Sequence, residues 1–328
     1  MNQDKLIEVK NLKTYFHTEA GTVKAVDNVS FDIYKGEVLG IVGESGSGKS
    51  VTSLSINRLI PSPPGEIVSG EIIYKGTNLL DLSYDEMSKY RGNHISMIFQ
   101  EPMTSLNPVL RIKTQINELL IHHDKLSLEE ATEKSIEMLD AVGIPDPEMR
   151  INEYPHQFSG GMRQRIMIAM ALQCNPALLI ADEPTTALDV TIQAQILDLM
   201  MNLKDKRENA AILLITHDLA VVAETCNRVI VMYGGVIQEI ADIHELFKNP
   251  IHPYTKALME SIPQMDSTRK RLKALKGMVP SILEFGDGCK LCSRFEPDDC
   301  ACGGTRMEPE LIEVAPNHHA RINLDILK

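Results

Sequence analysis

A glycine-rich segment that follows residue 42 constrains the fold of this 328-residue chain more than any other feature. Residues 43–50 read GESGSGKS and fit the pattern G-x-x-x-x-G-K-[ST]. An apolar run precedes the segment and a helical pattern follows it, which predicts the order strand, phosphate loop, helix. In such a loop, backbone N–H groups and the helix N-terminus face an anion, while the lysine adds a positive charge. The predicted nucleotide contacts are Gly43, Glu44, Ser45, Gly46, Ser47, Gly48, Lys49, Ser50 and Val51.

A second apolar strand ends in two adjacent carboxylates. Residues 178–183 read LLIADE, and a buried strand seldom finishes in paired acids unless a cation or a reaction uses them. ATPases with a phosphate loop need an acid here to hold the Mg²⁺ shell, and Asp182 fits that role. Glu183 is then placed to polarise a water molecule for attack on the γ-phosphate. The sequence therefore predicts ATP and Mg²⁺ as ligands, with Ser50 as a further Mg²⁺ ligand.

The charge balance and the amino terminus limit the partners and the location of the chain. Thirty-three basic residues against 45 acidic ones leave a net charge of −12, which disfavours a nucleic-acid partner. The amino terminus lacks the apolar stretch of a secretory signal. The apolar runs are also far shorter than the roughly 20 residues that cross a bilayer. We expect a cytoplasmic chain without a spanning segment.

The order of patterns along the chain predicts an α/β architecture with one insertion and one extension. Alternating apolar and polar residues over about 6–33 favour antiparallel strands, and the block at about 114–142 has helical spacing. Strands then alternate with helices, which predicts a largely parallel, covered sheet. We expect one domain over 1–248, with a helical insertion at about 101–164, and a proline-rich extension over 249–328.

The segment FSGGMRQR at 158–165 resembles the signature motif of ATP-binding-cassette (ABC) ATPases, and it lies just upstream of the acidic strand as in that family. Other family motifs follow the same order. Gln100 resembles the Q-loop glutamine, Ala187, Leu188 and Asp189 the D-loop, His217 the switch histidine, and Phe16 the aromatic that stacks on adenine, with Tyr15 as its rival. The resemblance covers residues 5 to about 245. It implies a P-loop, RecA-like nucleotide-binding domain with an antiparallel β-subdomain, a helical subdomain insertion and a small C-terminal extension.

The resemblance also implies roles for these residues. The implied catalytic residues are Glu183, His217 and Gln100, and the implied Mg²⁺ ligands are Ser50, Gln100 and Asp182. Ser159, Gly160 and Gly161 are expected to contact the γ-phosphate of ATP bound to the opposite protomer. Because the helical insertion separates this signature from the phosphate loop, one protomer is not expected to close its own site.

Three stretches are similar to the ATP-binding subunits of oligopeptide and dipeptide importers: residues 100–108, 158–165 and 249–263. This similarity implies an ATPase that powers peptide import as a peripheral protein on the cytoplasmic face of the membrane. Its implied partners are a second ABC ATPase subunit, two transmembrane permease subunits and, indirectly, an extracytoplasmic solute-binding protein. A nickel or metal-complex importer, a soluble ABC ATPase outside transport and a non-catalytic module are the alternatives.

Four cysteines crowd into the extension with the spacing C-x₂-C-x₇-C-x-C. They are Cys289, Cys292, Cys300 and Cys302. Without an export signal, such clustering favours a metal over disulfides. Some members of the resembled family carry a [4Fe–4S] cluster in this extension, but Phe295 stands here where many relatives have a cysteine. An iron–sulfur cluster is the main interpretation of this segment, with zinc and the absence of a metal as alternatives.

Two further features have simpler interpretations. Cys174 and Cys226 lie in apolar surroundings, which predicts core thiols. The stretch RKRLKALK at 269–276 is locally basic in an acidic chain. A solvated face is the main interpretation of this stretch, and contact with an anionic lipid or a partner is the alternative.

Overall fold

The described part of the chain forms two compact units. The computed structural model describes residues 4–100, 105–185, 190–207, 209–261, 277, 279–285, 288–296 and 299–324. The first unit comprises Met1–Leu6, Tyr34–Glu37 and Asp81–Leu214, and the second comprises Ile7–Ile33, Val38–Leu80 and Ile215–Lys328. Over the described ranges, the search for a helix with the length and apolarity of a membrane span finds none.

The elements of the described residues are numbered in chain order. The strands are β1 Lys5–Thr18, β2 Gly21–Tyr34, β3 Val38–Val42, β4 Gly65–Tyr74, β5 Thr77–Asn78, β6 Ile95–Ile98, β7 Leu178–Asp182, β8 Ala211–Ile215, β9 Arg228–Tyr233, β10 Val236–Asp242, β11 Leu311–Ala315 and β12 His318–Arg321. The α-helices are α1 Lys49–Ile56, α2 Tyr84–Ser88, α3 Ile112–Leu119, α4 Leu128–Ala141, α5 Pro147–Arg150, α6 Gly160–Leu172, α7 Val190–Asp205, α8 Leu219–Thr225, α9 Ile243–Lys248 and α10 Pro253–Glu260.

The second unit contains an antiparallel sheet with the strand order β2-β1-β4-β5. The register of β1 and β4 places Ile7 opposite Tyr74 and Phe16 opposite Gly65. Along β1, Val9 and Leu12 are buried while the residues on either side of each are more exposed, which is the pattern of a strand with one covered face. The predicted antiparallel strands at the start of the chain are confirmed.

The strands β3, β9, β10, β12 and β11 form the other sheet region of the second unit, in that order. β3 and β9 are parallel, whereas β10 is antiparallel to both β9 and β12. All five residues of β3 are buried, as expected for a strand covered on both faces. Cys226 is 6% exposed, and a Cβ atom at Gly40 would lie 2.9 Å from its Sγ atom. The prediction of Cys226 as a core thiol is therefore confirmed.

The first unit combines β6, β7 and β8 with helices α2 to α7. β6 and β7 are parallel, with Met97 opposite Ile180. The predicted helical block corresponds to α3 and α4, separated by a π-helical turn at Leu120–Asp124 that the sequence did not indicate. Ser127 and Glu130 form a capping box that begins α4. Cys174 packs in an apolar cluster with Leu120 and Ala131, which confirms that it is a core thiol.

Candidate nucleotide site and cysteine cluster

Two glycines give the phosphate loop a backbone path that other residues could not follow. Gly43 has a φ of +152°, and a Cβ atom there would lie 2.1 Å from the carbonyl oxygen of Met232. Gly48 has a φ of +100°, and a Cβ atom there would lie 2.4 Å from the carbonyl oxygen of Ala25. Because a side chain fits at neither position, the loop can lie close to the neighbouring backbone between β3 and α1.

The side chain of the loop lysine turns back and binds the backbone of its own loop. Lys49 is 5% exposed, and its Nζ atom donates hydrogen bonds to the carbonyl oxygens of Gly43 at 2.8 Å and Glu44 at 3.0 Å. The Oγ atom of Ser47 is buried and has no hydrogen-bond partner among the described residues. Gly48 precedes α1 without a side-chain cap, so the first amides of that helix are not satisfied by its cap residue. A buried cation, an unsatisfied hydroxyl and helix amides suit an anion such as a phosphate.

The predicted loop is exposed at its tip and half-buried where it enters α1. Ser45 and Gly46 are exposed, and Gly46 has a φ of +77° with open space around it. Ser50 and Val51 are half-buried at the start of α1. Only the tip of the loop is therefore open to solvent.

The acidic end of β7 carries the predicted base together with the predicted Q-loop residue. Asp182 is 4% exposed and ends β7, and the half-buried Glu183 follows with a φ of +46°. A positive φ is uncommon for a residue with a side chain, and strained positions of this kind concentrate at functional sites. The Nε2 atom of Gln100 donates a hydrogen bond to Oε2 of Glu183 at 3.2 Å. The first unit thus brings together a carboxylate and the amide that orients it.

The signature segment begins a helix with exposed donors. The Oγ atom of Ser159 accepts a hydrogen bond from the N–H of Met162 at 3.3 Å, which caps α6. Ser159 and Gly160 are exposed, and Gly161 is half-buried. The side-chain amide of Gln164 donates a hydrogen bond to the carbonyl oxygen of Pro184, and this bond ties the helix to the turn after β7. The signature and the acidic strand end therefore belong to one connected region of the first unit.

The structure distinguishes the two aromatic candidates for contact with adenine. The hydroxyl of Tyr15 donates to Oδ1 of Asp27 at 2.8 Å, and burial together with this bond raises the pKa of Tyr15 to about 12. Phe16 is half-buried and lies against Gly65, where a Cβ atom would come within 2.9 Å of its ring. Tyr15 thus has a defined structural role, whereas the ring of Phe16 is part of the surface of the second unit.

The remaining predicted residues are placed as follows. His217 is exposed and lies in the second unit between β8 and α8. Asp218 caps α8 by accepting from the N–H of Ala220 at 2.8 Å, which fixes the backbone beside His217. The D-loop residues Ala187, Leu188 and Asp189, and the basic stretch at 269–276, lie outside the described residues.

The four cysteines of the extension converge in the second unit. Their sulfur atoms all lie within 4.8 Å of one another. Cys300 is 3.5 Å from Cys289 and 3.5 Å from Cys302, while Cys292 is 3.4 Å from Cys302 and 3.8 Å from Cys300. The N–H of Cys289 donates to the carbonyl oxygen of Arg306 at 2.9 Å, which closes the loop around the cluster. The spacing seen in the sequence is therefore compatible with one shared centre.

The sulfur atoms do not share one acidity. Hydrogen bonding with Cys289 lowers the pKa of Cys300, whereas burial raises the pKa of Cys292. A lowered pKa favours the thiolate, which is the form of cysteine that binds metals.

One group of contacts at the phosphate loop was not predicted from the sequence. Glu44 is held by Tyr254 and Arg294, which belong to α10 and the cysteine segment of the extension. The segment at 249–263 had been recognised only through its resemblance to importers, and nothing in its pattern indicated a partner in the loop. Residues separated by so much sequence meet only once the second unit has folded.

Comparisons with known proteins agree with the site. The family described as ABC transporter matches residues 26–186, and the family described as oligopeptide/dipeptide transporter, C-terminal region, matches residues 238–300. The chain is 51% identical over 324 residues to the dipeptide transport ATP-binding protein of Lactococcus lactis subsp. cremoris, across 98% of this chain and 91% of that protein. It is 50% identical over 320 residues to the oligopeptide transport ATP-binding protein of Bacillus subtilis, across 97% of this chain and 88% of that protein.

A solved structure extends the similarity to the fold. The ATP-binding cassette MJ0796, in a dimeric post-hydrolysis state bound to ADP and Pi, matches with a TM-score of 0.65 and 29% identity. The match covers 72% of this chain and 98% of that one. The predicted fold class, a P-loop α/β nucleotide-binding domain, is thereby confirmed. The loop geometry, the family matches and the relatives lead to one conclusion: the chain belongs to the family of ABC transporter ATP-binding proteins.

Proposed function

We propose that this chain is the ATP-hydrolysing subunit of an ABC transporter that imports peptides. The observation that carries the proposal is the phosphate loop, in which the buried Lys49 and the uncapped start of α1 suit a nucleoside triphosphate. The peptide substrate is supported by the relatives named for dipeptide and oligopeptide transport and by the matched C-terminal region. These names favour peptides over nickel or another metal complex, and over a soluble ATPase outside transport.

The proposed chemistry assigns one role to each group. Lys49 would neutralise the β- and γ-phosphates, Phe16 would stack on the adenine, and Glu183 would polarise the attacking water. His217 would contact the γ-phosphate. Ser50, Gln100 and Asp182 would hold Mg²⁺ through oxygen atoms, which are the ligands that this ion prefers. The bound ion would supply positive charge at the β- and γ-phosphates.

We further propose that two ATPase subunits close on ATP. The exposed Ser159 and Gly160, with Gly161, would contact the γ-phosphate of ATP held by the opposite subunit. The dimeric state named for the MJ0796 cassette supports this arrangement. The partner subunit would be a second ABC ATPase, and both ATPases would lie on the cytoplasmic face of the membrane. Two transmembrane permease subunits and, indirectly, an extracytoplasmic solute-binding protein complete the proposed assembly. In this proposal residues 1–248 form the ATPase domain and residues 249–328 the extension.

A transport measurement tests the function. The chain is reconstituted with its permease subunits in vesicles, and ATP hydrolysis is measured with the solute-binding protein and either a peptide mixture or a nickel chelate. We expect peptides to stimulate hydrolysis and to accumulate inside the vesicles. If only the nickel chelate stimulates hydrolysis, the transported substrate is a metal complex and not a peptide. Hydrolysis that responds to neither would contradict a role in import.

We also propose that Cys289, Cys292, Cys300 and Cys302 bind a metal centre. Zinc bound at about 2.3 Å by four sulfurs sets neighbouring sulfurs about 3.8 Å apart. The separations of 3.4 to 3.8 Å between the closest sulfurs resemble that edge. A [4Fe–4S] cluster contains four iron atoms and needs its cysteine sulfurs further apart. The spacing of the sulfurs, rather than their number, therefore favours a single tetrahedral ion over the cluster that is the main interpretation of the sequence.

Metal analysis separates these two centres. Protein prepared without oxygen is analysed for zinc, iron and labile sulfide, and its visible spectrum is recorded before and after exposure to air. One zinc per chain without labile sulfide is expected. Four irons with labile sulfide and an air-sensitive visible band would show a [4Fe–4S] cluster in place of zinc. Protein without metal would show that the four cysteines are structural thiols.

A further inference from the structure

Glu44 of the phosphate loop is held by two residues of the C-terminal extension. The guanidinium of Arg294 pairs with its carboxylate through Nη1 and Oε2 at 2.5 Å and through Nη2 and Oε1 at 3.3 Å. The hydroxyl of Tyr254 accepts from the backbone N–H of Glu44 at 3.1 Å and donates to its Oε2 atom at 3.3 Å. Both the backbone and the side chain of this loop residue are therefore fixed from outside the loop.

The two holding groups are removed from solvent. The side chain of Arg294 is 2% exposed, and Tyr254 is fully buried. The guanidinium also lies 5.7 Å from the ring centre of Tyr233 and donates to the carbonyl oxygen of Gly277 at 3.2 Å. Paired hydrogen bonds between a guanidinium and a carboxylate are among the strongest in proteins. Where water has limited access, it screens the two charges less, and their attraction is stronger. This clasp of Arg294, Glu44 and Tyr254 is therefore more than a surface ion pair.

The clasp continues directly into the nucleotide site on one side. The carbonyl oxygen of Glu44 accepts from Nζ of Lys49 at 3.0 Å and from the N–H of Ser47 at 3.2 Å. Movement of Glu44 would thus displace an acceptor of the lysine that is proposed to bind the phosphates. Beyond Glu44 the loop is exposed at Ser45 and Gly46, so the clasp acts where the buried and exposed halves of the loop meet.

On its other side the clasp continues into the cysteine cluster. Arg294 follows Cys292 by two residues, and its N–H donates to the carbonyl oxygen of Leu291 at 2.9 Å within the same turn. That turn also contains Cys289, whose carbonyl oxygen accepts from the N–H of Cys292 at 3.4 Å. The position of the guanidinium therefore depends on a turn that the clustered sulfurs hold in shape.

We propose that Arg294 and Tyr254 are positioning residues for nucleotide binding, which act through Glu44 and make ATP affinity depend on the state of the cysteine cluster. The inference rests on the proposed nucleotide site and adds a control of that site by the extension. A loop held in its binding shape loses less conformational entropy when the phosphates arrive, so its affinity is higher. Because such coupling is reciprocal, bound nucleotide also stabilises the cysteine turn.

Equilibrium binding of ATP to the full chain tests the positioning role. ATP is titrated without divalent ions so that hydrolysis does not interfere, and KM and kcat are measured separately with Mg²⁺ present. For Arg294→Ala we expect about tenfold weaker ATP binding, a value within the usual range of coupling between sites. KM should rise accordingly, with a much smaller change in kcat. Arg294→Lys keeps the charge without the two-pronged geometry and should restore part of the affinity.

Two further variants and a control connect the effect to the clasp. Glu44→Gln should weaken binding to a similar degree, and the double variant Arg294→Ala with Glu44→Gln should be no weaker than the poorer single variant. Tyr254→Phe removes the hydroxyl that contacts Glu44 and should weaken binding less than Arg294→Ala. Lys256→Ala removes an exposed cation of α10, the helix that carries Tyr254, and should bind ATP like the unaltered chain.

The coupling to the cysteines has its own comparison. Cys292→Ser should lower ATP affinity in the unaltered chain and have little further effect when Arg294 is already alanine. Additive effects of the two substitutions would overturn the coupling, and unaltered ATP affinity in Arg294→Ala would overturn the positioning role. If the unaltered chain itself fails to bind ATP, the proposed function fails instead. Should Cys292→Ser not fold, ATP affinity is compared before and after treatment with a metal chelator, in the unaltered chain and in Arg294→Ala. A drop confined to the unaltered chain supports the coupling, and unchanged affinity or equal drops in both would overturn it.

Discussion

Gln100 and Glu183 are joined by a hydrogen bond of 3.2 Å from Nε2 of the amide to Oε2 of the carboxylate. The bond connects the end of β6 to the end of β7, two parallel strands of one unit. Since a carboxylate acts as a base only when an oxygen faces the water, this contact fixes the orientation of Glu183 before any substrate is present. Glu183 is therefore the residue whose replacement should separate ATP binding from ATP hydrolysis.

Glu183→Gln should retain ATP binding and lose nearly all turnover. The amide keeps the size of the side chain but cannot accept a proton, and the loss of a general base typically costs about a hundredfold or more in rate. Steady-state hydrolysis and equilibrium ATP binding are measured on the same preparation, with Glu129→Gln, an exposed position on α4, as the control. A dimer that persists longer with ATP is also expected. Turnover equal to that of the control would remove Glu183 from this role.

Phe16→Ala should weaken the binding of ATP much more than Tyr15→Phe. Stacking of a base on an aromatic ring contributes about 1–3 kcal/mol, so loss of the Phe16 ring should lower affinity by about fivefold or more. Tyr15→Phe loses only its hydrogen bond to Asp27 and keeps the ring. Titrations with ATP and with inorganic triphosphate check the assignment, because only ATP binding should respond. The opposite ranking of the two variants would assign the adenine to Tyr15.

Glu239→Gln should destabilise the second unit by about 3 kcal/mol, because a fully buried carboxylate there accepts from several donors. The donors are Nε2 of His318 at 2.7 Å and the N–H groups of Ile251 at 2.8 Å and His252 at 3.1 Å. The introduced amide would place N–H groups opposite such donors. The free energy of unfolding in denaturant measures the loss. Glu224→Gln, exposed on α8, is the control and should change stability little.

His252→Asn should make stability depend less on pH in acid. Burial, aided by the charges of Arg321 and Lys256, lowers the pKa of His252 to about 3. In the unfolded chain the pKa is about 6.5, so between these values the unfolded state binds one proton more. As pH falls below about 6.5, this group therefore lowers the free energy of unfolding by about 1.4 kcal/mol per pH unit.

Asparagine is suited to this test because it can also cap α10, as His252 does by accepting from the N–H of Tyr254 at 3.2 Å. Denaturant unfolding at several pH values between 5 and 7 gives the slope for each protein. Identical slopes for the two proteins would show that His252 does not titrate differently on unfolding.

The order strand, phosphate loop, helix and the acidic end of β7 were predictable because their residues occur in contiguous segments. The loop pattern requires glycine at Gly43 and Gly48, and the structure leaves no room for a side chain at either position. Asp182 follows an apolar run that predicts a buried strand. The hydrogen bond between Gln100 and Glu183 was not predicted, because the two residues lie 83 positions apart and neither segment indicates the other as its partner. Motifs whose residues are close together in the chain can therefore be recognised from a single sequence.

The contacts of the extension were not predictable in the same way. Arg294 and Glu44 are 250 residues apart, and His318 and Glu239 are 79 apart. Charged residues usually face solvent, so nothing in the sequence indicates that these side chains are buried and paired with each other. β11 and β12 were missed although Leu311–Ala315 has strand-forming residues before the turn at Asn317. Runs of five and four residues are too short for their pattern to predict a hairpin within a proline- and cysteine-rich extension.

The hairpin has a practical consequence for handling the protein. β12 pairs with β10, which is otherwise bonded only to β9 among the described strands, and six of the seven residues of β10 are buried. A chain cut after residue 248 would leave the outer backbone groups of that apolar strand without partners. Such an edge recruits strands from other molecules. Shortened proteins that carry only the cassette should therefore precipitate or form soluble aggregates, even when their ATP site is intact.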